Sequence, residues 1–357
     1  NTDAGTSQDL TNGSDYTYTD LVPGTYTFTE ADNSNYTLKS ITGADSSSGR
    51  TATVTVSSDE DEEITFTNQQ HKAKVTVEKD VLGPDGVTDV SDDHSFEMTL
   101  NSQSKQVSES SSKEWEVNPG TYSVVETTDP DYEFVSDTGP VTVGSGATDT
   151  ITVTNKQKKA QVTIVKDVKD PTGAQVSDPA SFTVKVDGND PQSFAEGSDY
   201  TYTLDPGEYT FTEDDKEGYT LEKITPDDNS IASDGTTIVL LSNDSKTITF
   251  ENWQEYGKIS GTKYEDEDGD KTTTGDQTTV SGWWVTLWRS LSGAYDDLTQ
   301  VGSTQTDTDG NYLFDNVIPG FYRILEEVKA GWMELTDRFI DLVVGPGEDK
   351  TTGTDFI

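Results

Sequence analysis

The chain has 357 residues with 24 basic and 67 acidic side chains, a formal charge of −43, and no cysteine. A disulfide-stapled scaffold and a Cys-based metal or redox centre are excluded, and only His71 and His94 remain as imidazole ligands or bases. So dense a polyanion repels phosphate backbones, which makes nucleic acid a poor partner, and no apolar run is long enough for direct membrane insertion.

The chain opens at Asn1 with no signal peptide, and is read as a processed or excised piece whose targeting and anchoring signals lie elsewhere. A hydrophobic fraction of 30% and this charge border on the composition of disordered chains. Periodicity points the other way. Val75-Thr-Val77, Phe96-Glu-Met98-Thr-Leu100, Val162-Thr-Ile164, Phe182-Thr-Val184-Lys-Val186 and Ile248-Thr-Phe250 alternate apolar and polar residues between Gly, Pro, Asp and Asn clusters. This is the period of half-buried antiparallel strands, and β-branched Thr suits their solvated face. No convincing amphipathic helix is visible, so the expected class is all-β.

The chain also repeats itself. GSDYTYTDLVPGTYTFTEADNSNYTL (13–38) recurs as GSDYTYTLDPGEYTFTEDDKEGYTL (197–221), with looser copies NPGTYSVVETTDPDY (118–132) and IPGFYRILEEVKAGW (318–332). Each reads as a Pro-Gly turn feeding a Tyr-x-x-x-Glu strand, and the copies lie roughly 90 to 115 residues apart, the size of a small immunoglobulin-like sandwich. EITFTNQQ (63–70), TITVTNKQ (150–157) and TITFENWQ (247–254) close the first three units, while KAKVTVEKDV (72–81) and KAQVTIVKDV (159–168) open the second and third. The expectation is a rod-like tandem array of four β-sandwiches at 1–70, 71–157, 158–254 and 255–357, joined by very short linkers. The first unit has no opening Lys-bearing strand. Either preceding residues of a longer polypeptide supply it, or a neighbouring subunit donates it to an open sheet edge.

Because residues i, i+2 and i+4 of a strand share a face, three polar residues continue the core-facing rows. In the second unit these are Lys79, Glu126 and Asn155; in the third, Lys166, Glu213 and Asn252. The first unit keeps a partial set, Glu30 and Asn68. Burial lowers a lysine pKa and raises a glutamate pKa, giving a neutral amine beside a protonated acid. Attack of that amine on an adjacent Asn carboxamide, with the Glu relaying protons, expels ammonia and leaves a Lys–Asn amide between the first and last strands. This is single-turnover self-modification, not an enzyme activity. The alternative is that these residues cap strand ends, with the Lys snorkelling to solvent and the Asn opening a turn.

The Lys, Tyr-x-x-x-Glu and terminal Asn pattern resembles the collagen-adhesin B-type, prealbumin-like domains of bacterial surface adhesins and covalently assembled pili. The resemblance spans the first three units and implies amine donors at Lys79 and Lys166, carboxamide partners at Asn155 and Asn252, and catalytic acids at Glu126 and Glu213.

The last unit opens as GKISGTKYEDEDGDKTTTGDQTTVSGWWVTLW (257–288). Asp266, Asp268 and Asp270 alternate in a Gly-containing loop, with Asp276 following, so several oxygens can converge on a hard cation, for which calcium is the natural candidate. Asp307 and Asp309 can join it or form a solvated turn. This loop resembles the calcium-binding B repeats of staphylococcal serine-aspartate-repeat adhesins. Trp283, Trp284, Trp288 and Trp332 gather in the same unit as a sugar-stacking platform or as core. Sequons at Asn12, Asn35 and Asn243 permit N-glycosylation.

The expected role is a structural segment of an extracellular filament or cell-surface adhesin stalk, stiffened by calcium and isopeptide bonds. Its partners are other copies of itself or neighbouring domains of a longer chain. The competing role is recognition of a glycan or surface protein by the Trp-rich last unit. A glycoside hydrolase has only generic acidity to support it, and no activity on a glycan panel is expected.

Overall fold

The computed structural model describes residues 7–227, 232 and 234–357. The described residues are all-β, with 31 strands and no helix, hence no helix long and apolar enough to cross a membrane. The chain divides into two compact units, Asn1–Lys158 and Lys159–Ile357. Each contains two groups of sheets, and every sheet draws all its strands from one of the segments 24–70, 73–157, 160–254 or 257–350.

In the second segment, strands Tyr132–Asp137, Thr148–Gln157, Ala73–Leu82 and Lys113–Val117 form one four-stranded sheet in that order. Its inward row, Val75, Val77, Ile151 and Val153, packs into one core with Phe96, Met98 and Leu100 of the facing three-stranded sheet and with Trp115. The third segment repeats the plan. Strands Asp199–Leu204, Ala160–Lys169, Ser245–Gln254 and Tyr219–Pro226 face a second four-stranded sheet, and Val162, Ile164, Ile248 and Phe250 meet Val184 and Phe211 between them. In both, the first and last strands of the sandwich are direct neighbours and run parallel, Lys79 opposite Val153 and Lys166 opposite Phe250.

The Pro-Gly turn owes its repetition to a local lock. The motif tyrosine donates its hydroxyl to the carbonyl four residues earlier, Tyr26 to Val22 (2.7 Å), Tyr122 to Asn118 (2.8 Å) and Tyr322 to Ile318 (2.5 Å). This fixes where the strand begins and therefore which face its Glu occupies four residues on. A second device, absent from the sequence reading, ties the end of the last strand to a loop. Asp92 accepts from Tyr132 and Gln157, both at 2.8 Å, and Asp178 accepts from Tyr219 (2.7 Å) and Gln254 (2.6 Å).

The first segment is thinner. Strands Gly24–Thr29, Thr51–Val56 and Ser46–Ser48 make one small sheet, Tyr36–Thr42 and Thr65–Gln70 another. The closing strand Thr65–Gln70 is paired on one side only, and the edge that holds the Lys-bearing strand in the next two segments has no strand among the described residues. The consequence shows in burial. Phe28, Ile41 and Phe66 are half-buried, whereas their repeat counterparts Phe211, Ile224 and Phe250 are fully buried.

In the last segment, strands Thr299–Gln305, Trp284–Ser290, Gly320–Glu326 and Phe339–Val344 form a sheet facing Asn311–Val317, Gly257–Thr262 and Asp349–Lys350. Trp283, Val285 and Leu287 point into its interior, so Trp283 is a core residue while Trp284 is exposed. Gly261 is required by close approach, because a Cβ there would overlap the Thr354 carbonyl and the Tyr312 hydroxyl.

Candidate functional site

In the second segment, alternation along Ala73–Leu82 carries the inward row from Val75 and Val77 to Lys79, whose side chain has no exposed surface. Its Nζ lies 3.6 Å from Glu126 Oε2 and donates to the Val153 carbonyl at 3.3 Å. Asn155, two residues along the parallel neighbour, donates Nδ2 to Glu126 Oε1 at 2.6 Å. The Glu is thus the hinge of the trio, with one oxygen toward the amine and the other toward the carboxamide. Asn155 Oδ1 and Glu126 Oε2 are buried without a hydrogen-bond partner. The ring of Phe96 closes the far side, 4.3 Å from Nζ. Removal from water pushes the Lys79 ammonium pKa down to about 8, against the opposing pull of Glu126.

The third segment reproduces this geometry. Lys166 and Glu213 have side chains 0% and 1% exposed and lie 3.3 Å apart, with Phe182 beneath the amine at 4.4 Å. Lys166 Nζ donates to the Phe250 carbonyl at 2.9 Å and to Asn252 Oδ1, and Asn252 Nδ2 donates to Glu213 Oε1 at 2.6 Å. Here amine, acid and carboxamide touch one another. Burial lowers the Lys166 pKa and raises that of Glu213, so desolvation works against both charges at once. None of the three reaches solvent, so the strand-end arrangement with a snorkelling Lys is not the one adopted.

The first segment keeps two members. Asn68 Nδ2 donates to Glu30 Oε1, but the cation beside Glu30 is Arg50, at 2.7 Å, which also reaches Asp32 at 2.9 Å. A guanidinium stays protonated and is not a nucleophile, so among the described residues the cation paired with Glu30 cannot attack this carboxamide. Arg50 comes from the turn before the strand Thr51–Val56, which is why a search for an opening Lys strand passes it by.

In the last segment the motif's Glu326, legible in the repeat 318–332, pairs with a lysine that sequence reasoning missed. Lys263 Nζ lies 3.0 Å from Glu326 Oε2, with side chains 5% and 1% exposed, and Trp283 stands beneath the amine at 5.2 Å. Burial raises the Glu326 pKa. The signal was present as Gly257-x-Ile259-x-Gly261-x-Lys263, an inward row disguised by two glycines.

For a cation, the structure brings Asp266, Asp268 and Asp276 together, one carboxylate oxygen of each within 4.8 Å of the others. Gly269, with φ of 75°, bends the loop so that its amide and that of Asp270 donate to Asp266 and Asp268, each at 2.8 Å. Asp276 Oδ1 is buried with no hydrogen-bond partner, and three converging carboxylates are a donor set that suits a hard cation. Asp270 stands outside this cluster and caps Thr272; Asp307 accepts from the amides of Asp309 and Asn311 in a separate turn. Among the described residues a second acidic group, Asp80, Asp89 and Glu109, has similar spacing. The Trp cluster does not form one platform, since Trp332 packs edge-on against the buried Trp283.

No curated protein sequence matches. Among solved structures, the TIE protein of Bacillus anthracis is 17% identical with a TM-score of 0.41, over 85% of this chain and 55% of that one; this chain spans about half its length. BcpA, the major pilin subunit of Bacillus cereus, is 12% identical with a TM-score of 0.26, over 80% of this chain and 99% of that one. Two B repeat units of the collagen binding protein of Staphylococcus aureus are 16% identical with a TM-score of 0.23, over 80% and 75%. Residues 157–249, which contain Lys166 and Glu213 and end within the strand Ser245–Gln254 that bears Asn252, match the family model of a prealbumin-like fold domain.

Proposed function

We propose that this chain is a structural segment of an extracellular filament or cell-surface stalk, whose second and third sandwiches are braced by Lys79–Asn155 and Lys166–Asn252 amide bonds. The observation that carries the reading is the contact of amine, acid and carboxamide in a water-excluded site joining the first and last strands of the third sandwich, with Lys79 and Asn155 of the second meeting on the same Glu126 carboxylate. In the reaction, the neutral Lys amine forms a bond from Nζ to the Asn Cγ, and the Cγ–Nδ2 bond breaks. Glu126 or Glu213 takes a proton from Nζ and delivers it to the departing nitrogen, which leaves as ammonia. The Glu ends as it began, so each site turns over once.

The placement suits a tensile role. Tension on a sandwich enters through its first strand and leaves through its last, and these strands are parallel neighbours. A bond between them carries the load past the rest of the sandwich, which need not unfold. The partners of such a segment are further copies of the chain or adjoining domains, and the dense negative charge keeps its surface hydrated.

Single-molecule stretching of the whole chain tests this. The second and third sandwiches are expected to release no internal length, whereas an Asn155→Ala chain releases the 155 − 79 = 76 residues between the anchors, about 260 Å. Release of that length by the unaltered chain would refute the role.

Calcium is the proposed ligand of Asp266, Asp268 and Asp276. Each carboxylate is held beside two others, a repulsion that a divalent cation relieves. Chelation is expected to lower the melting temperature of the last sandwich by several degrees, and a chain with Asp268→Asn and Asp276→Asn to lose that response. Identical calorimetric traces with calcium and with chelator would exclude a stabilising site.

A further inference from the structure

Trp284, Phe321, Phe339 and Val343 project from the outer face of the last sandwich's four-stranded sheet and are between 39% and 48% exposed, with Trp288 and Leu325 half-buried in the same rows. Strand register makes these one surface. Phe321 is opposite Val343, Leu325 opposite Phe339 and Trp288 opposite Arg323.

The fold itself does not require aromatic side chains here. The motif Glu is opposite Met98, Val184 and Val285 in the second, third and last sandwiches, which aligns the three residue by residue. One residue before that position stand Glu97, Thr183 and Trp284; three residues after it, Asn101, Asp187 and Trp288; and just before the motif tyrosine, Thr121, Glu208 and Phe321. Two sandwiches of the same plan are polar where the last is aromatic. A ring left in water gains little of its burial energy, so a patch of such rings marks a contact surface.

Charge narrows what that surface meets. Among the described residues, Arg323 and Asp341 are the only charged side chains at outward positions of this sheet, and they close on each other through two bonds of 2.6 Å, with the guanidinium over the Phe339 ring at 4.1 Å. The face is therefore neutral on a chain of net charge −43. A second copy or an anionic polymer brings its negative charge up against the rest of the chain, and a cationic partner finds its counter-charges elsewhere; a neutral partner is subject to neither effect. The chemistry of the surface is mixed. Trp288 Nε1 donates to Thr286 Oγ1 at 3.0 Å, so the ring lies back along the strand with its N–H already spent and offers its face. The neighbouring strand Thr299–Gln305 sets exposed Gln300, Ser303 and Gln305 opposite Trp288, Thr286 and Trp284, which places amides and a hydroxyl beside the aromatic row. The row from Trp284 to Trp288 runs about 13 Å at about 3.3 Å per residue, long enough to lie under more than one sugar ring.

We infer that this face binds a neutral, extended polysaccharide, with Trp284 and Trp288 stacked on the flat C–H faces of successive rings and Gln300, Ser303 and Gln305 bonded to their hydroxyls. The class is one of equatorially substituted pyranoses, whose rings are apolar above and below and polar at the edge. The site is independent of the crosslinks proposed above and gives a stalk segment a lateral hold on surrounding polysaccharide.

Isothermal titration of the whole chain with cellohexaose and with chitohexaose tests this. At least one is expected to bind, while glucose and N-acetylglucosamine do not, and the affinity is expected to change little between low and high salt. Trp284→Thr with Phe321→Glu places the third sandwich's residues at these positions and is expected to keep the melting temperature while weakening binding by about tenfold or more. Trp284→Phe is expected to keep most of the affinity. If the double variant unfolds, Trp284→Thr alone reads the same loss. Failure of the parent chain to bind either hexamer would overturn the inference, as would unchanged binding by the folded variant or equal binding of an anionic oligogalacturonate. A parent chain that sediments as a dimer, with a monomeric double variant, would assign the face to a second copy instead.

Discussion

Replacing Asn155 or Asn252 with Ala is expected to lower the melting temperature of the sandwich that carries it by about 20 to 35 °C. The bonds span 155 − 79 = 76 and 252 − 166 = 86 residues. Closing loops of that length removes chain entropy from the unfolded state worth about 4.5 kcal/mol, by the relation used for disulfides. In a sandwich of this size each kcal/mol moves the midpoint by about 4 to 8 °C. The substitution also deletes a hydrogen bond to a buried carboxyl group, worth about 1.5 to 3 kcal/mol if that group is charged. Calorimetry on the full chain reads both sandwiches together and separates the causes. A fall of more than about 25 °C requires the bond, and one confined to about 10 °C would mean that only a hydrogen bond was lost.

Glu213→Gln is expected to leave the third sandwich folded but unbonded, one ammonia heavier than the parent at that site. The amide side chain still fills the space between Lys166 and Asn252 but can no longer shuttle a proton. Glu213→Ala has a larger effect. It blocks the bond and strands an amine with no exposed surface, a combination whose electrostatic part alone costs about 3 to 5 kcal/mol. The paired change Lys166→Met with Glu213→Leu removes both charges and is expected to restore folding without restoring the bond. Mass spectrometry and calorimetry on this series distinguish an acid that takes part in the reaction from one that only neutralises a lysine. A bond that still forms with Gln at this position would assign Glu213 the second role.

Much of this was legible in the chain because strand alternation is so regular. Once Val75, Val77, Val162 and Ile164 are placed inward, period two carries Lys79 and Lys166 inward with them, and the same count places Glu126, Glu213, Asn155 and Asn252. The prealbumin-like character of the third segment followed from those motifs and matches residues 157–249. What escaped did so for identifiable reasons. Lys263 sits at the end of an inward row whose members include Gly257 and Gly261, and glycine carries no hydrophobic signal; Gly261 is there because Tyr312 and Thr354 leave no room for a Cβ. Arg50 reaches Glu30 from a turn that motif spacing does not connect to it. The Asp92 and Asp178 networks depend on a loop Asp meeting a Tyr and a Gln from distant strands, and in a chain with 67 acidic residues one more loop Asp carries no weight. The cation loop was legible as a cluster but not in its membership. Asp270 is spent on its own turn and Asp307 on another, a choice made by local backbone amides rather than by spacing.

The arrangement also explains how so polar a sequence holds a fold. Each sandwich buries a narrow apolar row and then uses the ends of its strands for paired polar groups, where a longer hydrophobic core would otherwise be needed. In the first segment, where the described residues place no strand at that edge, Phe28, Ile41 and Phe66 are half-buried.

The central claim is that two sandwiches are closed covalently, and the intact mass of the fully denatured, unmodified chain tests it most directly. A deficit of two ammonias, about 34 Da, mapped by digestion to Lys79–Asn155 and Lys166–Asn252, is the predicted result. A mass equal to that of the sequence would contradict it, and would leave Lys79 and Lys166 as buried amines held in place by Glu126 and Glu213 alone.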